Sequence, residues 1–130
     1  MDLILDTCAL LSLSGLTRRK LKRETLRLIS SADTLYVSAC SLFELALKLK
    51  RKQLELLPFE TASAFWDEAV SSYECETLPV EAGGFDHAVN LPDHHGDPFD
   101  RIIIAQAIRT QSEVVTYDRQ FSAYPITLHD

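Results

Sequence analysis

The stretch DPFDRIIIAQA at residues 97–107 decides the fold, because it predicts a helix that lies inside the core. Asp97 is a favoured helix cap, and Pro98 suits the first helical position, where its fixed φ costs nothing. The residues that follow are apolar on nearly every side, which is typical of a buried helix. Asp100 lies on the same face as Ile104, so its carboxylate is costly unless a cation meets it. The alternative is that Asp100, at the third helical position, only interacts favourably with the helix dipole. The local pattern leaves both interpretations of Asp100 open.

Short apolar strands alternate with helical segments on both sides of that helix. The strands are predicted at residues 1–6, 35–37, 76–79, 114–116 and 126–128, and the other helices at 9–13, 17–29, 38–51, 60–72 and 81–90. This alternation predicts an α/β fold, a parallel sheet in a three-layer α/β/α arrangement, as a single domain over residues 1–130. Sites in such sheets form beyond the carboxyl ends of the strands, where Asp6 and Asp118 both lie. For Asp6, a simple Asp-Thr turn into the next helix is the equally good alternative.

Glu44 belongs to the helix that follows the second strand, and its role depends on where that helix begins. If Ser41 is the cap, Ser41 and Glu44 form a capping box. If Ser38 is the cap, Glu44 lies a full turn further in, and we prefer this start because it leaves no loop between strand and helix. Lys48, four residues later, is placed to pair with Glu44 on the helix surface.

Charge is unevenly distributed along the chain, although the net charge of −6 by itself argues mildly against nucleic-acid binding. Five cations within six residues lie on the predicted amphipathic helix that Thr17 caps, namely Arg18, Arg19, Lys20, Lys22 and Arg23. They form either a solvated face or an RNA-binding segment that holds phosphates. The three cysteines have no CxxC spacing, which predicts reduced thiols in a cytoplasmic protein. No stretch is typical of a signal peptide or a membrane span.

Four acids are predicted to meet at one edge of the sheet: Asp6, Glu44, Asp100 and Asp118. With no nucleophile among them, such a cluster needs cations, and oxygen ligands select Mg²⁺ or Mn²⁺ over zinc. The adjacent His94 and His95 are poor zinc ligands, because neighbouring residues rarely bind one ion and no further ligand lies at a suitable spacing. No glycine-rich phosphate loop is present, which excludes a P-loop nucleotide enzyme.

These acids and their neighbours resemble the PIN domain, and more narrowly the VapC-type toxins of bacterial and archaeal toxin–antitoxin pairs. The resemblance is carried by Asp6-Thr7, by the run from Val37-Ser38 through Glu44 to Lys48, by residues 97–101 with 105–107, and by Thr116-Tyr117-Asp118. It covers essentially the whole chain, and the DPFDR…AQA segment resembles one branch of the family. Asp97 fits the helix-start position of the pattern rather than a ligand position.

The resemblance implies a Mg²⁺- or Mn²⁺-dependent endoribonuclease in which Asp6, Glu44, Asp100 and Asp118 are catalytic and carry the metal. Thr116 and Thr7 are expected to orient these acids by hydrogen bonds. Single-stranded or loop RNA would be cut to 5′-phosphate and 3′-hydroxyl ends. We further expect a cognate antitoxin as the partner and no association with a membrane. We also expect a homodimer, with the helix of Trp66 as the candidate interface. The competing hypothesis is a catalytically silent module that binds an antitoxin and acts through that complex on promoter DNA.

Overall fold

Five parallel strands form a single sheet in the computed structural model, which describes residues 1–130. The strands are β1 (Asp2–Leu5), β2 (Thr34–Ser38), β3 (Glu76–Leu78), β4 (Glu113–Val115) and β5 (Leu128–His129). Their order across the sheet is β3-β2-β1-β4-β5, with β1 in the centre. Leu5 pairs in register with Val37 of β2 and Val115 of β4, so these three strands end at the same level.

Six helices cover the two faces of the sheet. They are α1 (Thr7–Leu13), α2 (Arg23–Ser31), α3 (Ala39–Lys50), α4 (Ala62–Ser72), α5 (Ala82–Asn90) and α6 (Pro98–Thr110), and a 3₁₀ helix spans Arg119–Ala123. Leu3 and Leu5 of β1 belong to one apolar core, with side chains of α1, α3 and α4, whereas Ile4 belongs to the other, with α5 and α6. Alternate residues of a strand point to opposite faces, so the two cores lie on either side of the sheet. The predicted three-layer α/β fold is confirmed.

Helix α6 begins and packs as its sequence predicts. The Asp97 Oδ1 atom accepts hydrogen bonds from the N–H groups of Phe99 (2.8 Å) and Asp100 (3.2 Å), and Pro98 occupies the first turn. Ile103 and Ile104 are fully buried. Asp97 is therefore the cap of α6. Asp100 lies in the first turn, and its carboxylate does not serve as the cap.

Helix α2 begins later than the sequence predicts, at Arg23 rather than near Thr17. The Thr17 hydroxyl donates to the carbonyl of Arg19 instead of capping a helix, and Leu21 is buried in the core. Burial of Leu21 brings the chain to the core before the helix begins. Lys22, which precedes α2, makes no side-chain capping hydrogen bond. The predicted basic helix face is thus an exposed connecting segment, of which only Arg23 is helical.

Helix α4 contributes its tryptophan to the core of the chain. Trp66 is 6% exposed and packs with Phe65 among the residues on the α1 side of the sheet. The exposed positions of α4 include Asp67 and Glu68. The large apolar side chains that are exposed lie elsewhere: Met1, Leu26, Phe43, Leu57, Phe85 and Val89. None of the helices combines the length and the apolar character that a membrane span requires.

Candidate metal centre

A cavity of about 400 Å³ opens at the carboxyl ends of β1 and β4, and all four predicted acids line it: Asp6, Glu44, Asp100 and Asp118. Asp6 directly follows β1 and caps α1, its Oδ1 atom accepting a hydrogen bond of 2.7 Å from the N–H of Ala9. Asp118 follows β4 and caps the 3₁₀ helix, its Oδ1 atom accepting 2.9 Å from the N–H of Gln120. Both acids therefore have one oxygen held by a backbone N–H group.

Glu44 reaches the cavity because α3 begins at the earlier of the two possible caps. The Ser38 hydroxyl accepts a hydrogen bond of 3.2 Å from the N–H of Cys40, which confirms the preferred start and excludes a capping box at Ser41. Glu44 is 5% exposed, and its Oε2 atom pairs with the Lys48 ammonium at 2.7 Å. Its Oε1 atom is buried without any hydrogen-bond partner. A buried carboxylate oxygen left unpaired is costly, which favours a cation as its missing partner.

Asp100 has the most strongly perturbed carboxyl group of the site. Its pKa is raised to about 8, chiefly by burial and in addition by the negative charges of Asp97, Asp6, Glu44 and Asp118. Its Oδ2 atom lies 3.2 Å from the His95 Nε2 atom. A carboxyl group surrounded in this way stores electrostatic repulsion that a bound cation relieves.

Asp6 is perturbed in the same direction and less strongly. Its pKa is raised to about 6, chiefly by burial and in addition by the charges of Glu44 and Asp118, while the hydrogen bonds from Thr116 and from the N–H of Ala9 act to lower it. Thr116 also accepts a hydrogen bond of 3.0 Å from the N–H of Asp118, so one hydroxyl contacts both strand-end acids. The Thr7 hydroxyl donates a hydrogen bond of 2.9 Å to the Ser41 hydroxyl rather than to one of the acids, and this bond connects α1 to α3.

The donor set fits a hard divalent cation. Five carboxylates line the cavity, those of the four predicted acids and that of Asp97. Two of them have raised pKa values, a third has an unpaired oxygen, and no thiol joins them as a thiolate. Burial raises the pKa of Cys8, the one thiol that lines the cavity, to about 11. Oxygen donors without thiolates suit Mg²⁺ or Mn²⁺. Asp6, Glu44, Asp100 and Asp118 are the residues that would hold it.

The tightest group of possible ligand atoms differs from the predicted set. It consists of His95, Asp100 and Asp118, whose atoms lie within 4.8 Å of one another, whereas Asp6 and Glu44 line the same cavity outside that group. The His95 Nε2 atom lies 2.7 Å from the Asp118 Oδ2 atom. Sequence reasoning gave His95 no role, since the contact with Asp118 spans 23 residues and leaves no local spacing to detect.

One residue of the basic segment reaches the cavity. Arg19 lines it, and its guanidinium carbon lies 4.0 Å from the centre of the Tyr117 ring, a cation–π arrangement. Arg18, Lys20, Lys22 and Arg23 do not line this cavity, although all are exposed. The predicted basic segment therefore contributes one cation directly at the carboxylate cluster.

The family model described as PIN domain matches residues 3–126. The chain belongs to the PIN domain family. The match spans both strand-end acids of this PIN domain as well as Glu44 and Asp100. No curated protein matches the sequence.

Solved structures with the same fold include several from toxin–antitoxin systems. VapBC2 from Rickettsia felis, bound to a DNA fragment from its promoter, is 18% identical, with a TM-score of 0.70 over 99% of this chain and 98% of that one. FitAcB from Neisseria gonorrhoeae is 19% identical, with a TM-score of 0.67 over 98% and 96%. VapC20 from Mycobacterium tuberculosis, a toxin described as cleaving the sarcin–ricin loop, is 20% identical, with a TM-score of 0.66 over 96% of both chains. At these identities the similarity shows that the PIN domain shares their fold.

Proposed function

We propose that this PIN domain is a Mg²⁺- or Mn²⁺-dependent endoribonuclease and the toxin of a type II toxin–antitoxin pair. The observation that carries the proposal is the group of four buried or half-buried acids around one cavity, among them Glu44 with its unpaired Oε1 atom. A structural set of helix caps would leave no such oxygen. Asp97 already caps α6, so Asp100 is free for another role.

The acids of the chain prepare the site for phosphodiester hydrolysis. A divalent cation held there would supply positive charge for the scissile phosphate and would lower the pKa of a bound water molecule. Asp6 and Asp118 are fixed by backbone N–H groups, so each presents its second oxygen in one orientation. Lys48 holds one oxygen of Glu44, and the other oxygen is buried without a hydrogen-bond partner. Preorganised charges of this kind stabilise a transition state without reorganising during the reaction.

RNA is the proposed substrate because the cavity combines acids for a metal with a cation at its edge. Arg19 lies beside the acids, in position to contact a phosphate next to the one that is cut. The exposed cations around it extend this positive potential outward along the segment. The similar toxin VapC20 is described as cleaving an RNA loop, which supports the same substrate class here.

Cleavage by the purified protein tests the proposal directly. Single-stranded RNA should be cut in Mg²⁺ or Mn²⁺ and left intact in excess EDTA. Asp6→Asn and Asp118→Asn should each lose cleavage by at least about 100-fold, since each removes a charge from the site. The matched control is Asp67→Asn, which makes the same change on the exposed face of α4 and should cut like wild type. Undiminished cleavage in EDTA would overturn the metal mechanism.

An antitoxin is the proposed partner, since similar structures include toxin–antitoxin complexes. A helix-containing tail that places an arginine against the acids would neutralise the site, because a desolvated arginine–carboxylate pair is strong. The purified pair should fail to cut RNA, and the cavity should be covered in its structure. A complex in which the four acids stay open to solvent would contradict this part of the proposal.

A second candidate function is a silent module that acts only through its antitoxin on promoter DNA. The observation in its favour is that Rickettsia felis VapBC2 is bound to a fragment of promoter DNA. The two functions separate by experiment. DNA binding by the pair, with no RNA cleavage by the chain alone in either metal, would favour the silent module.

A further inference from the structure

The His95 side chain is the one group near the acids whose role the proposed nuclease leaves open. It is buried, with 6% of the side chain exposed, and its ring packs edge-on against the ring of Phe121 with a centroid distance of 5.6 Å. Its Nε2 atom lies 2.7 Å from Asp118 and 3.2 Å from Asp100. At these distances His95 could either bind the metal itself, together with Asp100 and Asp118, or donate a hydrogen bond to these two acids.

The other ring nitrogen separates these two roles. The N–H of Asp97 donates a hydrogen bond of 3.1 Å to the His95 Nδ1 atom. A backbone N–H is always a donor, so Nδ1 must be the acceptor and carries no proton. A neutral imidazole then has its proton on Nε2, the atom that faces the carboxylates. An imidazole that binds a metal through Nε2 instead donates Nδ1–H to an acceptor, which is the reverse of this arrangement.

The backbone of His95 is held as firmly as its ring. Its N–H donates to the Tyr124 hydroxyl at 3.0 Å, and its carbonyl accepts 2.8 Å from the Arg101 Nη1 atom. The same buried guanidinium donates to the carbonyls of Ala88, Val89, Leu91 and Pro92 at the end of α5 and in the following loop. Arg101 therefore fixes the loop that carries His95, and it stands next to Asp100 on α6.

We propose that His95 is a positioning residue, which donates Nε2–H to Asp118, holds Asp100 beside it, and does not bind the cation. The inference rests on the proposed metal site. With Oδ1 held by Gln120 and Oδ2 by His95, both oxygens of Asp118 are fixed before a cation arrives. The donor also offsets part of the repulsion between the two carboxylates. Loss of such an outer hydrogen bond typically costs about 10- to 100-fold in metal affinity.

The proton position is tested first, on the metal-free protein labelled with ¹⁵N-histidine. Two-bond ¹H–¹⁵N correlation spectra distinguish the two neutral tautomers, and the signal that disappears in His95→Gln identifies His95. We expect the Nε2–H tautomer. An Nδ1–H tautomer would overturn the inference, whatever the protein does with metals.

Mn²⁺ binding tests the role of that proton. Pulsed EPR of the Mn²⁺ complex detects a directly bound nitrogen, and we expect none; a nitrogen coupling lost in His95→Gln would overturn the inference. His95→Gln keeps a side-chain N–H donor and should retain Mn²⁺ affinity within a few-fold, whereas His95→Leu should lose about 10- to 100-fold. His94→Gln is the matched control, since its exposed ring contacts Tyr124 and none of the acids.

The outcomes separate the inference from the proposed function. A His95→Leu variant with wild-type Mn²⁺ affinity overturns the positioning role and leaves the metal site intact. A wild type that binds neither Mn²⁺ nor Mg²⁺ overturns the metal site, and the tautomer measured without metal still reports whether His95 donates to Asp118.

Discussion

Replacing Asp100 by Asn tests whether this carboxylate belongs to a cation site, and it needs no substrate. The folded-state pKa of Asp100 is raised from 3.8 to about 8, first by burial and then by the neighbouring acids. Each pKa unit corresponds to about 1.4 kcal/mol, which sets a ceiling of about 6 kcal/mol on the combined cost of burial and repulsion that the substitution relieves. The side chain is 20% exposed and His95 lies 3.2 Å away, so we expect the metal-free variant to gain about 1–3 kcal/mol at pH 8.

The pH dependence has a definite sign. Because the folded state binds this proton more tightly than the unfolded state does, metal-free wild type loses stability as the pH rises from about 4 to about 8. The variant lacks the titrating group, so its advantage should vanish at pH 4 and grow up to pH 8. A helix-dipole role for Asp100 predicts the opposite sign, since removing a favourable charge near the start of α6 would destabilise the protein.

Melting curves of both proteins, with and without millimolar Mn²⁺, measure these effects. Binding to the folded state at about 100 times Kd stabilises by about 2.7 kcal/mol, and the variant should lose most of that gain. Asp67→Asn on the exposed face of α4 is the control for an Asp-to-Asn change and should respond to metal like wild type. A destabilised variant together with a wild type indifferent to metal would refute the reasoning.

Three further predictions follow from the structure. Reversing Arg19, Lys20 and Arg23 to Glu in an uncleaving Asp118→Asn background should weaken RNA binding and flatten its salt dependence by about 0.7 slope unit per lost phosphate contact, measured by fluorescence anisotropy. An unchanged slope would make the segment a solvated face. Arg101→Lys should lower the free energy of unfolding by about 2–4 kcal/mol in urea titrations, because one ammonium cannot donate to five carbonyls; exposed Arg27→Lys should stay within about 0.5 kcal/mol. Ile103→Ala should cost about 2–5 kcal/mol in the same titration, against less than about 1 kcal/mol for Leu26→Ala, since Ile103 is fully buried and Leu26 is 40% exposed. Equal losses at the two sites would contradict the assignment of the core.

The sequence by itself determined the features that depend on neighbouring residues. The cap at Asp97, the proline after it and the apolar run specify α6 within a few residues. Ser38 at the end of β2 specifies the start of α3, and this start in turn places Glu44 a turn inside the helix. Alternating strands and helices specify a parallel sheet, and a parallel sheet gathers the acids that follow its strands, so the set around the cavity was predictable.

Tertiary structure decided what depends on residues distant in the chain. Leu21 is buried in the core, and α2 begins only after it, although helix periodicity predicted an earlier start. Trp66 became a core residue because the side of α4 that carries it packs into the apolar core on the α1 side of the sheet. The roles of His95 and Arg101 depend on which carbonyls and carboxylates folding brings to them: His95 meets Asp118 from 23 positions away, and Arg101 gathers the end of α5. Such contacts have no period and no fixed spacing, so only the folded chain specifies them.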